Sequence, residues 1–398
     1  MKKKIYITNF WYAINYGASL TAYAIYKIMN NMCDTTYILN NLQVKDKAFY
    51  KKFYVKKFAD KYFKLKKIDD IDAPSILMTG SDQVFNPICE PLYNNSKFLK
   101  FAKLCDKKIA ISASFGVNKE TFIEQNSTEL INDMQLSLKS FDFISVREKS
   151  GLEICKDVLN VNAEWIIDPV FMLERGEWEQ LIANSDYCIK KQMKDKKIVS
   201  YFLDASKEHT KALKYISKKY DKNFLDLSSF KNSPENWLYA IKNCELFVTN
   251  SYHGVCFAII FNKPFICLSK DTGKSTRFES LFDILNIKNQ SVNLNTIYEE
   301  DCVFKVDYTN VNQRISEERN KALSFLTRAI DSPIINSQDK INVRINYLEN
   351  RLEELKKNNN LLAQLKIYLW NKFLLIYYSY LPRGLSNRIW QTVKRLIK

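Results

Sequence analysis

The chain of 398 residues holds only two histidines, and one of them stands where a side chain can do proton chemistry. His253 lies in TNSYHGVCFAIIFNKPF (249–265), where an apolar, strand-like run ends at Thr249-Asn250-Ser251-Tyr252 and a helix-like run, Val255 to Phe261, begins. A helix N-terminus offers unsatisfied N–H groups and the positive end of a dipole, which favour an anion. An imidazole there can donate to a phosphate or carboxylate, or shuttle a proton near neutral pH. The plainer alternative is a histidine that hydrogen-bonds a loop carbonyl, but the strand-end position and the adjacent Gly254 weigh towards chemistry. The second histidine, His209, lies in a polar helical stretch (207–211) and reads as solvated.

Other residues of the same kind follow other apolar runs. Arg147 comes directly after FDFISV (141–146), and its planar fork suits a carboxylate or phosphate; an ion pair with Glu148 or a domain contact is an equal alternative. Asp82 follows Gly80 and Ser81 at the end of SILMTG (75–80), placed to act as a base, to hold a sugar hydroxyl, or only to close an Asx turn. Ser81 and Gln83 share that turn, Ser251 and Gly254 flank the histidine, and Asn15 opens the turn after the first apolar run. Arg277 opens the helical stretch Arg277-Phe278-Glu279-Ser280-Leu281 and faces either a cleft or solvent. There is no G-x-G-x-x-G, no Walker lysine, no G-x-S-x-G elbow and no metal-ligand spacing, so a nucleotide redox cofactor is disfavoured and no metal is expected.

These residues need a scaffold, and the chain supplies alternating strands and helices. KIYITNF (4–10), TYIL (36–39), SILMTG (75–80), KIAISAS (108–114) and FDFISV (141–146) are short apolar strands, with helices at Leu20 to Met32 and around Phe49 to Phe63. The pattern pauses near Asp168-Pro169, and residues 183–196 are polar and lysine-rich. A second series follows: KIVSYFLD (197–204), FLDL (224–227), LFVTN (246–250) and PFICL (264–268). Short apolar strands separated by helices indicate parallel sheets covered on both faces. We therefore expect an α/β protein with one domain over 1–183, a second over 197–330 and a cleft between them. In such sheets ligands bind outside the carboxyl ends of the strands, where every residue named above lies.

Composition narrows the function. A hydrophobic content of 46% fits a globular protein with ordinary cores. Nine cysteines lie scattered with no C-x-x-C pair, which reads as reduced thiols in the cytosol. The opening MKKK is not followed by an unbroken apolar stretch or a cleavage site, so residues 4–10 read as a core strand rather than a signal peptide. Sixty basic residues against 44 acidic ones give a net charge of +16, and the residues from 335 onward carry twelve basic against four acidic. The excess is thus concentrated in a tail, 335–398, rather than spread as a nucleic-acid surface.

Taken together, the motifs resemble the polysaccharide pyruvyl transferase family. The pieces are NYGASLTAYAIY (15–26), GSDQVFNP (80–87), SASFG (112–116), SVREKSG (145–151), DPVFML (168–173), TNSYHGVCFAIIFNKPF (249–265) and RFESLFDILNI (277–287), in family order over residues 1–290. The resemblance implies two Rossmann-like domains in a GT-B-like arrangement, and transfer of a pyruvyl group from phosphoenolpyruvate to sugar hydroxyls of a cell-surface glycan or its lipid-linked precursor. It implies Arg147 as partner of the donor's carboxylate or phosphate and His253 as phosphate ligand or acid/base. Members often carry R-L-H at the histidine, whereas Ser251 stands two before His253, so one cation is missing; Arg277 or Lys274 could replace it, or the donor could differ. A glycosyltransferase using a nucleotide sugar, and a non-catalytic basic scaffold, are the alternatives.

The tail has its own pattern. Ile341, Ile345, Leu348, Leu352, Leu355, Leu362, Leu369, Phe373 and Ile376 form a heptad seam interrupted by Asn359 and Lys366, which suits a coiled coil and a homo-oligomer. KIYLWNKFLLIYYSYLPRGL (366–385) is apolar, aromatic and flanked by basic residues, but only about ten residues separate Lys372 from Pro382, well short of the roughly 20 that span a bilayer. It suits an interfacial helix on an anionic membrane surface, or docking on the protein's own body. The expected place is cytoplasmic, on the inner face of the cell membrane.

Overall fold

The computed structural model describes residues 3–13, 15–40, 54–89, 96–203, 205–228, 232–269, 276–287, 291–294, 297–298, 306–335 and 337–357. Among these, two all-parallel sheets form. The first contains β1 (Lys4–Thr8), β2 (Thr35–Leu39), β3 (Leu65–Lys66), β4 (Ile76–Asp82), β5 (Lys107–Ala113), β6 (Phe143–Val146) and β7 (Glu164–Trp165) in the order β3-β2-β1-β4-β5-β6-β7. The second contains β8 (Ile198–Tyr201), β9 (Phe224–Asp226), β10 (Leu246–Thr249), β11 (Phe265–Ser269) and β12 (Ser291–Asn293) in the order β12-β11-β10-β8-β9. The long apolar strands were legible as continuous runs because both faces are covered. The short edge strands β3, β7 and β12 carry no such run and were missed. Strand order reverses at β1/β4 and at β8/β10, the two points outside which a ligand crevice opens in such sheets.

The helix Tyr16–Met32 lies between the two halves, and 13 of its 17 residues are buried. Its first turns are built of small residues, Gly17, Ala18, Ser19, Ala22 and Ala24, which let neighbouring backbones come close. Its tyrosines reach into the second half: the Tyr16 ring lies 5.6 Å from that of Tyr201 and 5.7 Å from that of Trp237, tilted against both. Tyr23 meets Trp178 at 5.8 Å, and Trp178 meets Phe257 at 4.9 Å. One apolar cluster therefore runs unbroken from the first sheet to the second. Residues 183–196 are no loose linker: the helix Tyr187–Gln192 sits there, capped by Asp186, which bonds Asn236 on the helix Pro234–Asn243.

The helix Tyr308–Asp331 returns across both halves. Near its start Tyr308 donates to the Lys263 carbonyl, and Arg314 Nε donates to the Ile284 carbonyl at 3.1 Å. Further on, Arg319 Nε donates to the Phe171 carbonyl at 2.9 Å, and Lys107 Nζ caps the C-terminus at Ala329 and Ile330. The stretch before residue 330 thus packs on the first sheet as well as the second.

The helix Gln338–Lys357 begins docked on the first domain. Lys340 Nζ makes a buried ion pair with both oxygens of Asp142, at 2.8 and 2.7 Å, and Arg344 donates to the Phe101 carbonyl at 2.8 Å. Lys340, Val343, Arg344 and Leu348 form the buried stripe, while Ile341 and Ile345 of the heptad seam are half-buried beside it. The seam beyond Leu355, the basic aromatic stretch 366–385 and Lys274 lie outside the described residues. Among the described residues no helix is long and apolar enough to cross a membrane.

Candidate active site between the two sheets

The carboxyl edge of the first sheet brings three acids to one arginine. At the end of β4, Gly80 has φ 124°, and a Cβ there would stand 2.1 Å from the Ile111 carbonyl oxygen, so only glycine fits. Asp82 follows at φ 69°, a left-handed conformation that costs a non-glycine residue about 1–2 kcal/mol. Such backbone tends to be retained where it aims a side chain at a functional site. Asp168, beyond β7, caps the 3₁₀ turn Pro169–Phe171 by accepting from Val170 N at 3.1 Å. Glu148 follows β6 and accepts from Ser114 Oγ.

Arg147 is the hub. Nη1 donates to Asp168 Oδ2 at 2.7 Å, Nη2 to Asp82 Oδ1 at 3.0 Å, and Nε lies 3.4 Å from Glu148 Oε1. The Tyr252 ring covers the guanidinium at 4.5 Å. The side chain is wholly buried, whereas Asp82 keeps 15% of its side chain exposed and is the member of the cluster that reaches outward. Glu148 Oε2 is buried with no hydrogen-bond partner among the described residues.

The second sheet contributes His253. β10 ends at Thr249, Ser251 caps the helix Tyr252–Ile260 by accepting from Gly254 N at 3.2 Å, and His253 is the second residue of that helix. Its ring points across to the first domain. Nε2 lies 2.9 Å from Thr21 Oγ1 and 3.6 Å from Asp168 Oδ2, the second distance being a charge contact rather than a direct hydrogen bond. The other edge of the ring lies against Gly17, where a Cβ would fall 2.4 Å from Nδ1. His253 is 2% exposed.

The electrostatics follow from this packing. Burial pushes the Asp168 carboxyl up, but contact with His253, then Arg147 and the Val170 N–H, outweighs it and holds the group well below the usual carboxylate range. Burial likewise raises Asp82, and Arg147, His253 and Arg277 together bring it below its ordinary value. Both acids are therefore ionised at neutral pH, able to accept hydrogen bonds and not to supply protons. Arg277, half-buried on the helix Thr276–Ile284, has no ion-pair partner among the described residues.

The residues singled out from the sequence thus divide. Asp82, Arg147 and His253 converge, Ser81 joins them through Ser112 O (2.8 Å) and Asp168 Oδ2 (3.4 Å), and Arg277 stands near enough to act on Asp82. Arg147, expected to face a donor anion, is instead engaged on every side by the protein's own carboxylates and by Tyr252. Asn15 spends its side-chain oxygen capping its helix at Gly17 N (2.9 Å), and Gln83 accepts from Asn86 at 2.7 Å. His209, expected in solvent, is 1% exposed, stacks on Phe202 at 4.7 Å and closes a capping box with Ser206. Asp168, Glu148, Thr21 and Gly17 were passed over as site residues. Asp168-Pro169 read as a pause between strands and as part of a family motif with no role assigned, and a lone threonine or glycine in a helix carries no chemical signal until its neighbour across the fold is known.

Two parallel α/β sheets facing one another across a central helix, with the ligand edges turned inward, define a GT-B-like fold. Solved structures agree: a UDP-N-acetylglucosamine 2-epimerase superposes with TM-score 0.52 at 11% identity, covering 85% of this chain and 100% of its own. A second, titled a putative UDP-N-acetylglucosamine 2-epimerase from Listeria monocytogenes, gives TM-score 0.50 at 10% identity, covering 82% and 96%. At such identities the likeness concerns the fold alone. The sequence profile of polysaccharide pyruvyl transferases matches residues 15–272, and the chain belongs to that family. A search of curated protein sequences gives no match.

Proposed function

We propose that the protein transfers a pyruvyl group from phosphoenolpyruvate to sugar hydroxyls of a cell-surface glycan or its lipid-linked precursor, with His253 as the acid/base. The observation that carries this is the pairing of His253, from one domain, with Asp168, from the other, at the facing ligand edges of two sheets. An imidazole held facing an ionised carboxylate keeps one orientation, and imidazole is a side chain that can give and regain a proton.

The steps use what is present. His253 gives a proton to C3 of the enol phosphate, and C2 becomes oxocarbenium-like. An acceptor hydroxyl, oriented by ionised Asp82, attacks C2 and returns its proton to the imidazole. The C2–O bond to phosphate then breaks, and a second sugar hydroxyl closes the ketal on C2, losing its proton to phosphate. Arg277 is the cation we assign to the donor, since it is not committed to an ion pair among the described residues. Arg147 acts by holding Asp82 and Asp168 in place. Because His253 is sealed in the interface, donor and acceptor enter when the two domains part, and the exposed tie Lys149–Asp283 and the tie from Lys61 to the buried Glu235 are the contacts that open. The basic residues after 358 would bring the enzyme to an anionic membrane surface carrying a lipid-linked acceptor.

The test is phosphate release from phosphoenolpyruvate with total cell glycolipid as acceptor, run beside nucleoside diphosphate release from sugar nucleotides. Acceptor-dependent phosphate release supports the proposal. Diphosphate release alone would replace it with glycosyl transfer.

A further inference from the structure

We propose that Thr21, on the helix between the two domains, is a positioning residue: its hydroxyl and the Asp168 carboxylate hold the His253 ring in one orientation with the proton on Nε2. One ring nitrogen meets both groups, Thr21 Oγ1 at 2.9 Å and Asp168 Oδ2 at 3.6 Å. An ionised carboxylate accepts hydrogen bonds and cannot donate one. A lone pair on Nε2 facing it would be repelled, whereas an N–H shared between carboxylate and hydroxyl is attracted. The hydroxyl can accept from Nε2 and still donate to a carbonyl one turn earlier in its own helix, as mid-helix threonines do.

Ring orientation is then set from the other side. Gly17, one turn before Thr21 on the same helix face, lies against Nδ1, Cγ and Cβ. The ring is thus clamped between a hydroxyl that fixes the tautomer and a glycine that leaves just enough room for the edge carrying Nδ1. Both clamping residues belong to the first domain and the histidine to the second. The working tautomer is therefore specified only when the domains meet.

The proposal rests on His253 as the acid/base, but its test does not depend on which reaction the enzyme performs. With two histidines in the chain, selective ¹⁵N-histidine labelling gives two imidazole spin systems, and His253→Asn assigns them. With the ring neutral, His253 of the parent protein should show protonated Nε2 and bare Nδ1. Thr21→Val, which keeps the shape and removes the hydroxyl, should shift the tautomer ratio towards Nδ1–H by about fivefold, the worth of one ordinary hydrogen bond. Thr21→Ser should restore the parent ratio, and Thr21→Ala is the fallback should the valine variant fail to fold. In the phosphate-release assay the valine variant should lose kcat with little change in the donor KM. A parent spectrum with the proton on Nδ1, or an unchanged ratio in folded Thr21→Val, overturns the proposal. A shifted ratio with no phosphate release in any variant leaves the positioning role standing and removes the pyruvyl-transfer reading.

Discussion

Replacing Gly17 by alanine isolates the contact on which the site depends. The new Cβ would stand 2.4 Å from His253 Cβ and Nδ1 and 2.5 Å from Cγ, against ordinary contacts of 3.4–4 Å. The ring or the helix must retreat by about 1 Å, and a displacement of that size at a reacting group costs on the order of 100-fold in rate. Stability should change far less. Overpacking costs about 1–3 kcal/mol, while alanine recovers about 1 kcal/mol of helix propensity over glycine. The net of about 0–2 kcal/mol lowers Tm by a few degrees at most in a protein of this size. The assay is phosphate release alongside a thermal melt and the two-histidine ¹⁵N spectrum. A folded Gly17→Ala protein with turnover within threefold of the parent would refute the reasoning, because it would mean that the position of the His253 ring does not govern the reaction.

Five further outcomes are expected. Arg147→Lys should act on stability before substrate binding: it breaks the fork to Asp82 and Asp168 inside the core, at about 3 kcal/mol, read from the urea midpoint. Arg277→Gln should raise the donor KM and leave that midpoint unchanged. Asp168 and Asp82 are held below their unfolded values of about 3.9, so the stability they contribute is fully present above that pH and is lost as pH falls through their folded values; Asp168→Asn should flatten the decline of the urea midpoint below about pH 4. For the tail, Lys340→Ala should strand the buried Asp142 charge at a cost of about 3 kcal/mol and speed proteolysis after residue 335. A chain ending at Lys357 should keep activity on a soluble acceptor but lose anionic-liposome binding, an affinity that added salt should weaken in the full chain because exposed charges are screened over about 8 Å.

Much of the scaffold was written in local pattern. Strands buried on both faces must be apolar throughout, so β1, β4, β5, β6 and β10 stand out in the sequence as runs, and each ends in the polar residues that a parallel sheet exposes to ligands. The motifs at those ends were enough to identify the family and to name His253, Arg147 and Asp82. What each does was not legible, because it depends on which charge faces which. Arg147 read equally as a ligand for an incoming anion or as a partner of Glu148 until the fold placed Asp82 and Asp168 around it as well, residues 65 and 21 positions away in the chain. His253 read as a residue at a strand–helix junction until Gly17 and Thr21 of helix Tyr16–Met32, more than 230 residues earlier, closed over it. The heptad pattern after Ile341 could not say that the first turns of that helix use a neighbouring stripe to dock on the protein's own body. Hydrophobic period and strand-end chemistry are properties of adjacent residues, so the sequence alone determined them. The satisfaction of a charge, the tautomer of a ring and the burial of a helix face are set by groups brought together from distant positions, and only the tertiary structure decided those.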